Sequence, residues 1–322
     1  MSNTIAVIAN TDYHFEITLS AYQALIDSGY NPIIYSCHGK KPTFAKQTRF
    51  LNLYNLQHTE DIDLIPSDIL GGLVISAYPN RIPNDTNIIF DKLKNNLIYI
   101  CHRFNTIPSY MDKSKTICLS PLSQLIGLPY FIPNKYPMEI LSCQSDSKIK
   151  LLIQAHFEKE NRDMGLLDRV IDIITRMSNI ELHIIGTGIP ISLQKKQIPN
   201  IIIHSKITEE ALYSIINDMS YILPLIENNT STGTYLRERF SSSFCHSLCM
   251  SKPIISHNIF KKIYNIPGKY YSSTTGLHNA IISLDNMIPT DDQQTTLDFD
   301  LLRLNSIQHN RLLLNSLFDN LK

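Results

Sequence analysis

YILPLIENNTSTGTYLRERFSSSFCHSLCMSKPIISH, residues 221–257, reads as a strand, a polar loop, a short helix and a second strand. The apolar runs at 221–226 and 253–256 are short and rich in Ile and Leu, as buried strands of a parallel sheet are. Ligands of such sheets bind at the carboxyl ends of the strands. Between the runs, residues 228–233 are turn formers, and Ser241, Ser242 and Ser243 precede Phe244, Leu248 and Met250 at roughly helical spacing. Ser241 or Ser242 is therefore expected to cap a helix. The N–H groups and positive dipole end of that helix, with serine hydroxyls beside them and Arg237 and Arg239 nearby in sequence, suit a phosphorylated ligand. A serine-capped helix that binds nothing fits the same residues.

The rest of the chain repeats this alternation. With 322 residues it suits two domains of about 150 each, and a hydrophobic content of 43% fills two cores. Strand-like runs at 5–9 and 31–36 flank an amphipathic stretch at 17–27 that ends at Gly29, which makes a βαβ unit. Further strands are expected at 73–77, 97–102 and 116–119, with a helix near 88–94. Three prolines in LPYFIPNKYP, followed by CQSDSK, stop regular structure and place a linker there. The pattern then restarts: strand KIKLLIQAHF, a helix over 164–177, strand IELHIIGTG, strand NIIIHS, a helix over 209–216, then SYILPLI and KPIIS. A final helix is expected over 301–321. The fold class is thus α/β, with two doubly wound Rossmann-like domains at 1–140 and 148–322.

Charge and cysteines exclude several functions. Lys plus Arg and Asp plus Glu both total 29, so no global positive field draws the chain to nucleic acid, and no nucleic-acid partner is expected. A local basic patch would still allow peripheral membrane contact. The six cysteines lack paired CxxC spacing and mostly sit in apolar runs, as reduced core thiols do. Cys245 and Cys249 lie one helical turn apart, but no second pair completes a metal site. There is no signal-peptide pattern and no apolar run near the roughly 20 residues that cross a bilayer, so a cytoplasmic location is expected.

Residues 148–320 resemble the retaining GT-B glycosyltransferases of the family 4-like, group 1 kind. Four stretches carry the likeness in the family's order. KIKLLIQAHFEKENRD is similar to the first strand of the C-terminal domain and the basic loop after it, with Lys159 and Arg162 at the diphosphate-contacting positions. IELHIIGTG, with Gly186 and Gly188, is similar to a strand and glycine turn. NIIIHSKITEEALYSIINDMSYILPLIE resembles the block that sets a loop beside the nucleotide base, and places Glu227 there. ERFSSSFCHSLCMSKPII resembles the signature block of two glutamates and a Gly-x-Pro: Glu238 takes the first glutamate's place, His246 the second's, and Ser251 stands for the glycine.

The resemblance implies two Rossmann-like domains facing each other across a cleft, with the C-terminal helix packing across both. It implies transfer of a hexose from a UDP- or GDP-sugar to a hydroxyl acceptor such as a glycan, with retention, and with neither cofactor nor metal. Ser241, Ser242, Ser243 and His246 would then belong to the donor site, and Glu238 would meet the donor sugar. In the first half, His102 ends a strand-like run and His14 follows the first strand, where either can act as a base or orient a sugar. Asp12 can support His14 or be the base itself, or simply make an Asx turn. The triplets at 61–63 and 298–300, DID and DFD, fall in segments expected to be peripheral. Two other readings share this architecture: a sugar-nucleotide epimerase or hydrolase, and a degenerate module that binds a nucleotide sugar without turning it over.

Overall fold

The structure, a computed structural model, describes residues 3–9, 15–36, 58–59, 66–76, 93, 96–103, 107, 112–135, 148–157, 162–195, 198–227, 233–237, 240–285 and 293–321. The chain forms two compact units: Met1–Pro137, Glu238–Phe240 and Arg303–Lys322 make one, Met138–Arg237 and Ser241–Leu302 the other.

The first unit is built on a parallel sheet of β1 (Thr4–Ala9), β2 (Asn31–Ser36), β3 (His58–Thr59), β4 (Gly71–Ser76), β5 (Leu97–Cys101) and β6 (Thr116–Cys118), in the order β3-β2-β1-β4-β5-β6. Every residue of β1 is buried, which is why its sequence after Thr4 is a continuous apolar run rather than alternating. Helix α1 (Phe15–Asp27) starts two residues before the expected 17. It ends where Gly29 takes φ +85° and Tyr30 N–H donates to Leu25 O at 3.0 Å, a glycine-stopped terminus. The two-residue β3 had no signal in the sequence. The expected helix near 88–94 lies outside the described residues except for Leu93, which is buried.

The proline-rich segment is held to this unit. Cys118 N–H donates to Pro129 O and Cys118 O accepts from Phe131 N–H, and Ser20 Oγ accepts from the N–H groups of Asn134 and Lys135 at 3.1 and 3.0 Å. Asn310 brackets Ile132, with Oδ1 accepting from its N–H at 3.0 Å and Nδ2 donating to its carbonyl at 2.8 Å.

The second unit repeats the plan. Its strands are β7 (Ile149–His156), β8 (Ile180–Thr187), β9 (Ile201–His204), β10 (Tyr221–Ile222), β11 (Ile254–His257) and β12 (Gly268–Tyr271), in the order β12-β11-β10-β7-β8-β9 and parallel throughout. Read from its own first strand, this is the order of the first sheet. The helices are α2 (Met164–Ile174), α3 (Ile191–Lys195), α4 (Glu209–Asp218), α5 (Thr234–Arg237), α6 (Ser242–Met250), α7 (Asn258–Tyr264), α8 (Thr274–Asp285) and α9 (Gln293–Asp319). Leu166, Leu167, Val170 and Ile174 of α2 pack into a core with Leu151, Ile153, Leu182, Ile184, Leu277 and Ile281. Strand β12 and helices α7 and α8 were not among the expected elements, although Leu277, Ile281 and Leu284 of α8 fall at helical spacing.

Two expectations are corrected here. The strand expected over 221–226 stops at Ile222: Leu223 N–H still reaches Leu152 O at 2.7 Å, but Pro224 has no N–H, and Leu225 adopts a left-handed φ of 51°. The last helix begins at Gln293 rather than 301, its first turns supported by Gln294 Nε2 donating to Asp298 Oδ1 at 2.8 Å. From Arg303 onward it belongs to the first unit, where the Phe318 ring lies tilted against Tyr30 with centroids 5.3 Å apart.

Candidate functional site

In a sheet of this order the topological switch point lies between β7 and β10, where crossovers leave in opposite directions and open a crevice at the carboxyl ends. Three pieces of chain meet there. Strand β7 ends in Gln154, Ala155 and His156. The turn after β10 carries Leu225, whose carbonyl accepts from Asp163 N–H at 3.0 Å and so ties the end of β10 to the start of α2. Helix α6 begins with Ser241 as its N-cap, Oγ accepting from Ser243 N–H at 3.3 Å.

Arg162 joins the three. It is 4% exposed, and both terminal nitrogens are engaged within the unit. Nη1 donates to Tyr235 Oη at 3.0 Å. Nη2 donates to Gln154 O at 2.9 Å and Ser243 Oγ at 3.2 Å, and reaches Ser241 Oγ at 3.5 Å. The Tyr235 ring lies 5.4 Å from the guanidinium carbon, at cation–π distance. A planar five-donor fork suits such a junction, whose partners lie on different sides of the guanidinium, better than the compact three-donor ammonium of a lysine. With the arginine donating to the serine oxygens, the serine O–H bonds are left to point elsewhere as donors. The result is a buried positive charge behind two serine hydroxyls at a helix N-terminus, an arrangement able to hold the oxygens of a phosphate.

His246, one turn into α6, is 4% exposed, and its Nδ1 lies 2.6 Å from Gln154 Oε1. At the carboxyl ends of β10 and β11 the half-buried Glu227 is pushed above the usual carboxylate range, first by burial and then by the Asp163 charge, against the opposing charges of His257 and Arg169. Tyr271, at the end of β12, is pushed up by burial and by the charges of Glu227 and Asp163. His257 caps α7 through Nδ1, which accepts from Ile259 N–H at 3.4 Å, and stands edge-on to Tyr271 at 5.7 Å.

The expected residues fall as follows. The structure brings Arg162, Ser241, Ser243 and His246 into one bonded group, with Ser242 as the first residue of α6. Gly186 has a sheet-building reason: at φ +153° it pairs with Ala155, and a Cβ there would meet Ala155 O at 1.7 Å. Gly188 follows in the turn at φ +69°. Ser251 ends α6 in the left-handed region, φ 53° and ψ 40°, a conformation that favours glycine. In the first unit His102 is half-buried directly after β5. Asp12, His14, Lys159 and Glu238 lie outside the described residues. Gln154 and Tyr235 were missed. Gln154 left a trace as the polar residue in an apolar strand, whereas nothing around Tyr235 set it apart.

Cys245 and Cys249 are buried free thiols in α6, and among the described residues no group of three His, Cys, Asp or Glu is placed to hold a metal. No described helix is long and apolar enough to cross a membrane.

No family model matches the chain, and no curated protein matches its sequence. Solved structures do. The Anabaena protein HepE in complex with UDP and glucose superposes with a TM-score of 0.56 at 10% identity, over 98% of this chain and 99% of that one. A mutant O-GlcNAc transferase of Thermobaculum terrenum gives 0.56 at 10% identity, over 99% and 68%. The glycotransferase of kitacinnamycin gives 0.51 at 8% identity, over 98% and 99%. The chain has the GT-B fold of these glycosyltransferases.

Proposed function

We propose that the protein is a glycosyltransferase that moves a hexose from a UDP- or GDP-sugar to a hydroxyl acceptor such as a glycan, with retention at the anomeric carbon. The observation that carries this reading is the group at the switch point of the second sheet, a buried Arg162 behind the hydroxyls of Ser241 and Ser243 at the start of α6. In a transferase the charge develops on the departing diphosphate, and fixed donors aimed at it stabilise that charge without reorganising. Metal independence follows in this reading, since the arginine and the helix N-terminus take the place of a cation. Lys159 would add a second positive group to the diphosphate, while the Gly186–Gly188 turn and Glu227 would border the nucleotide.

His102 of the first unit, with His14 and Asp12, would supply the polar groups on the acceptor side, and Glu238 would meet the donor sugar. The UDP and glucose bound to HepE make UDP-glucose the first donor to try. The domains would be the acceptor-binding 1–140 and the donor-binding 148–322, in a cytoplasmic protein that touches membrane at most peripherally.

The test is a thermal-shift titration against UDP, GDP, ADP, CMP and their sugars, followed by NMR of the sugar product. A nucleotide at 100 times its dissociation constant stabilises the native state by about 2.7 kcal/mol. Stabilisation by UDP or GDP that is lost in Arg162→Met, with slow release of sugar of unchanged anomeric configuration, is the expected result. Stabilisation without any turnover would favour the non-catalytic module, and no stabilisation by any nucleotide would remove the donor site.

A further inference from the structure

Gln154 of β7 touches both the cation and the helix of the candidate site. Its main-chain carbonyl accepts from Arg162 Nη2 at 2.9 Å, and its side-chain Oε1 lies 2.6 Å from His246 Nδ1. With the amide oxygen turned to the ring, Nδ1 carries the proton and the neutral ring is the Nδ1–H tautomer, the opposite of what a flipped amide would select. His246 sits on the same helix as Ser243, one turn further on, and both His246 and Ser243 are buried. A hold on the imidazole from β7 is therefore a hold on the start of α6, where Ser241 and Ser243 meet Arg162.

We propose that Gln154 is a positioning residue for anion binding, acting through His246 and Arg162 rather than by touching the ligand. The proposal rests on the reading of this site as a nucleotide diphosphate site. Through its amide oxygen Gln154 sets the distance between the strand end and the helix N-terminus. Through its backbone oxygen it sets the orientation of the guanidinium. An apolar residue of similar size keeps the second function and loses the first.

Three measurements on the full chain test it. Nitrogen chemical shifts of His246, assigned by their loss in His246→Gln, should show the Nδ1–H tautomer in the wild type; an Nε2–H ring overturns the proposal. Gln154→Leu should weaken UDP binding about tenfold, the equivalent of one charge-assisted hydrogen bond, while the ligand-free melting temperature falls by only a few degrees. Unchanged UDP affinity in that variant overturns the proposal. In Gln154→Glu the carboxylate should favour the imidazolium and raise the pH at which His246 titrates by about one, a response a residue serving only to fill space would not give. If the wild type binds neither UDP nor GDP, the donor-site reading itself fails. A nucleotide that binds but ignores Gln154→Leu sinks this inference alone.

Discussion

The two units share one strand order and use their buried polar groups differently. In the first, Ser20 on α1 spends its hydroxyl on the backbone of Glu16, Asn134 and Lys135, and Asn310 spends its amide on Ile132. Those groups fasten the chain to itself. In the second, Arg162, Ser241, Ser243, Gln154 and His246 gather at the carboxyl ends of β7 and β10, and Leu225 holds a left-handed turn beside them. Backbone strain in a non-glycine residue next to a buried charge is costly unless the surroundings enforce it, and such costs cluster at ligand sites. Among the described residues, then, Ser20 and Asn310 secure backbone in the first unit, while the second gathers a bonded polar group at its switch point.

The contrast is open to mutation, beginning with the glycines. Gly186→Ala should destabilise the second unit by about 4 kcal/mol or more, because the new Cβ meets a backbone oxygen that can only yield by distorting β7. Gly72→Ala in the first sheet meets side-chain carbons of Leu97 and Leu93 at 2.8 and 2.9 Å, which can repack, and should cost about 1–3 kcal/mol. Urea unfolding of both variants compares them. Equal costs would mean that the β7–β8 approach is no tighter than the packing around β4.

Acidification should separate the units next. On β8 and β9, His183 Nδ1 and His204 Nε2 lie 3.0 Å apart. Burial holds both imidazoles below their usual range, with the His204 charge adding to the effect at His183. A group whose pKa is depressed on folding favours the folded state above its unfolded value, here 6.5, and that support is lost as pH falls through the folded value. The neighbouring thiols of the first sheet, Cys101 and Cys118, are pushed up to about 12 by burial and stay neutral over this range. Amide protection in β8 and β9, taken relative to the intrinsic exchange rate at each pH, should therefore fall below about pH 6.5 more than in β5 and β6, and His204→Gln should flatten the response. Protection that falls equally in both sheets would show that the histidine pair is not what separates them.

The smallest effect should have the opposite sign. Ser251→Gly relieves a left-handed residue at the end of α6 and should stabilise by about 0.5–1 kcal/mol in a denaturant titration. Loss of stability there would mean that the serine side chain holds the turn.

Much of the second sheet was legible in the sequence, because fully buried parallel strands must be apolar runs: β7 and β8 stand out as KIKLLIQAHF and IELHIIGTG. So was the Ser241 cap, since unpaired N–H groups at a helix start demand a short polar side chain. Other elements were hidden. The four-residue β12 is too short to show a period, and the early end of β10 rests on Pro224 together with the left-handed conformation of Leu225.

By itself, then, the sequence determined the alternation of strand and helix, the two halves and the serine-rich helix start, all consequences of burial periodicity and local backbone hydrogen bonding. Only the tertiary structure decided that Gln154, Arg162, Tyr235, Ser243 and His246 form one bonded group, and that α9 belongs to the first unit from Arg303 onward. Hydrogen bonds between residues 154 and 246, or 162 and 243, join positions dozens of residues apart. No local pattern encodes such pairs, because what brings them together is the packing of two whole crossovers on one sheet.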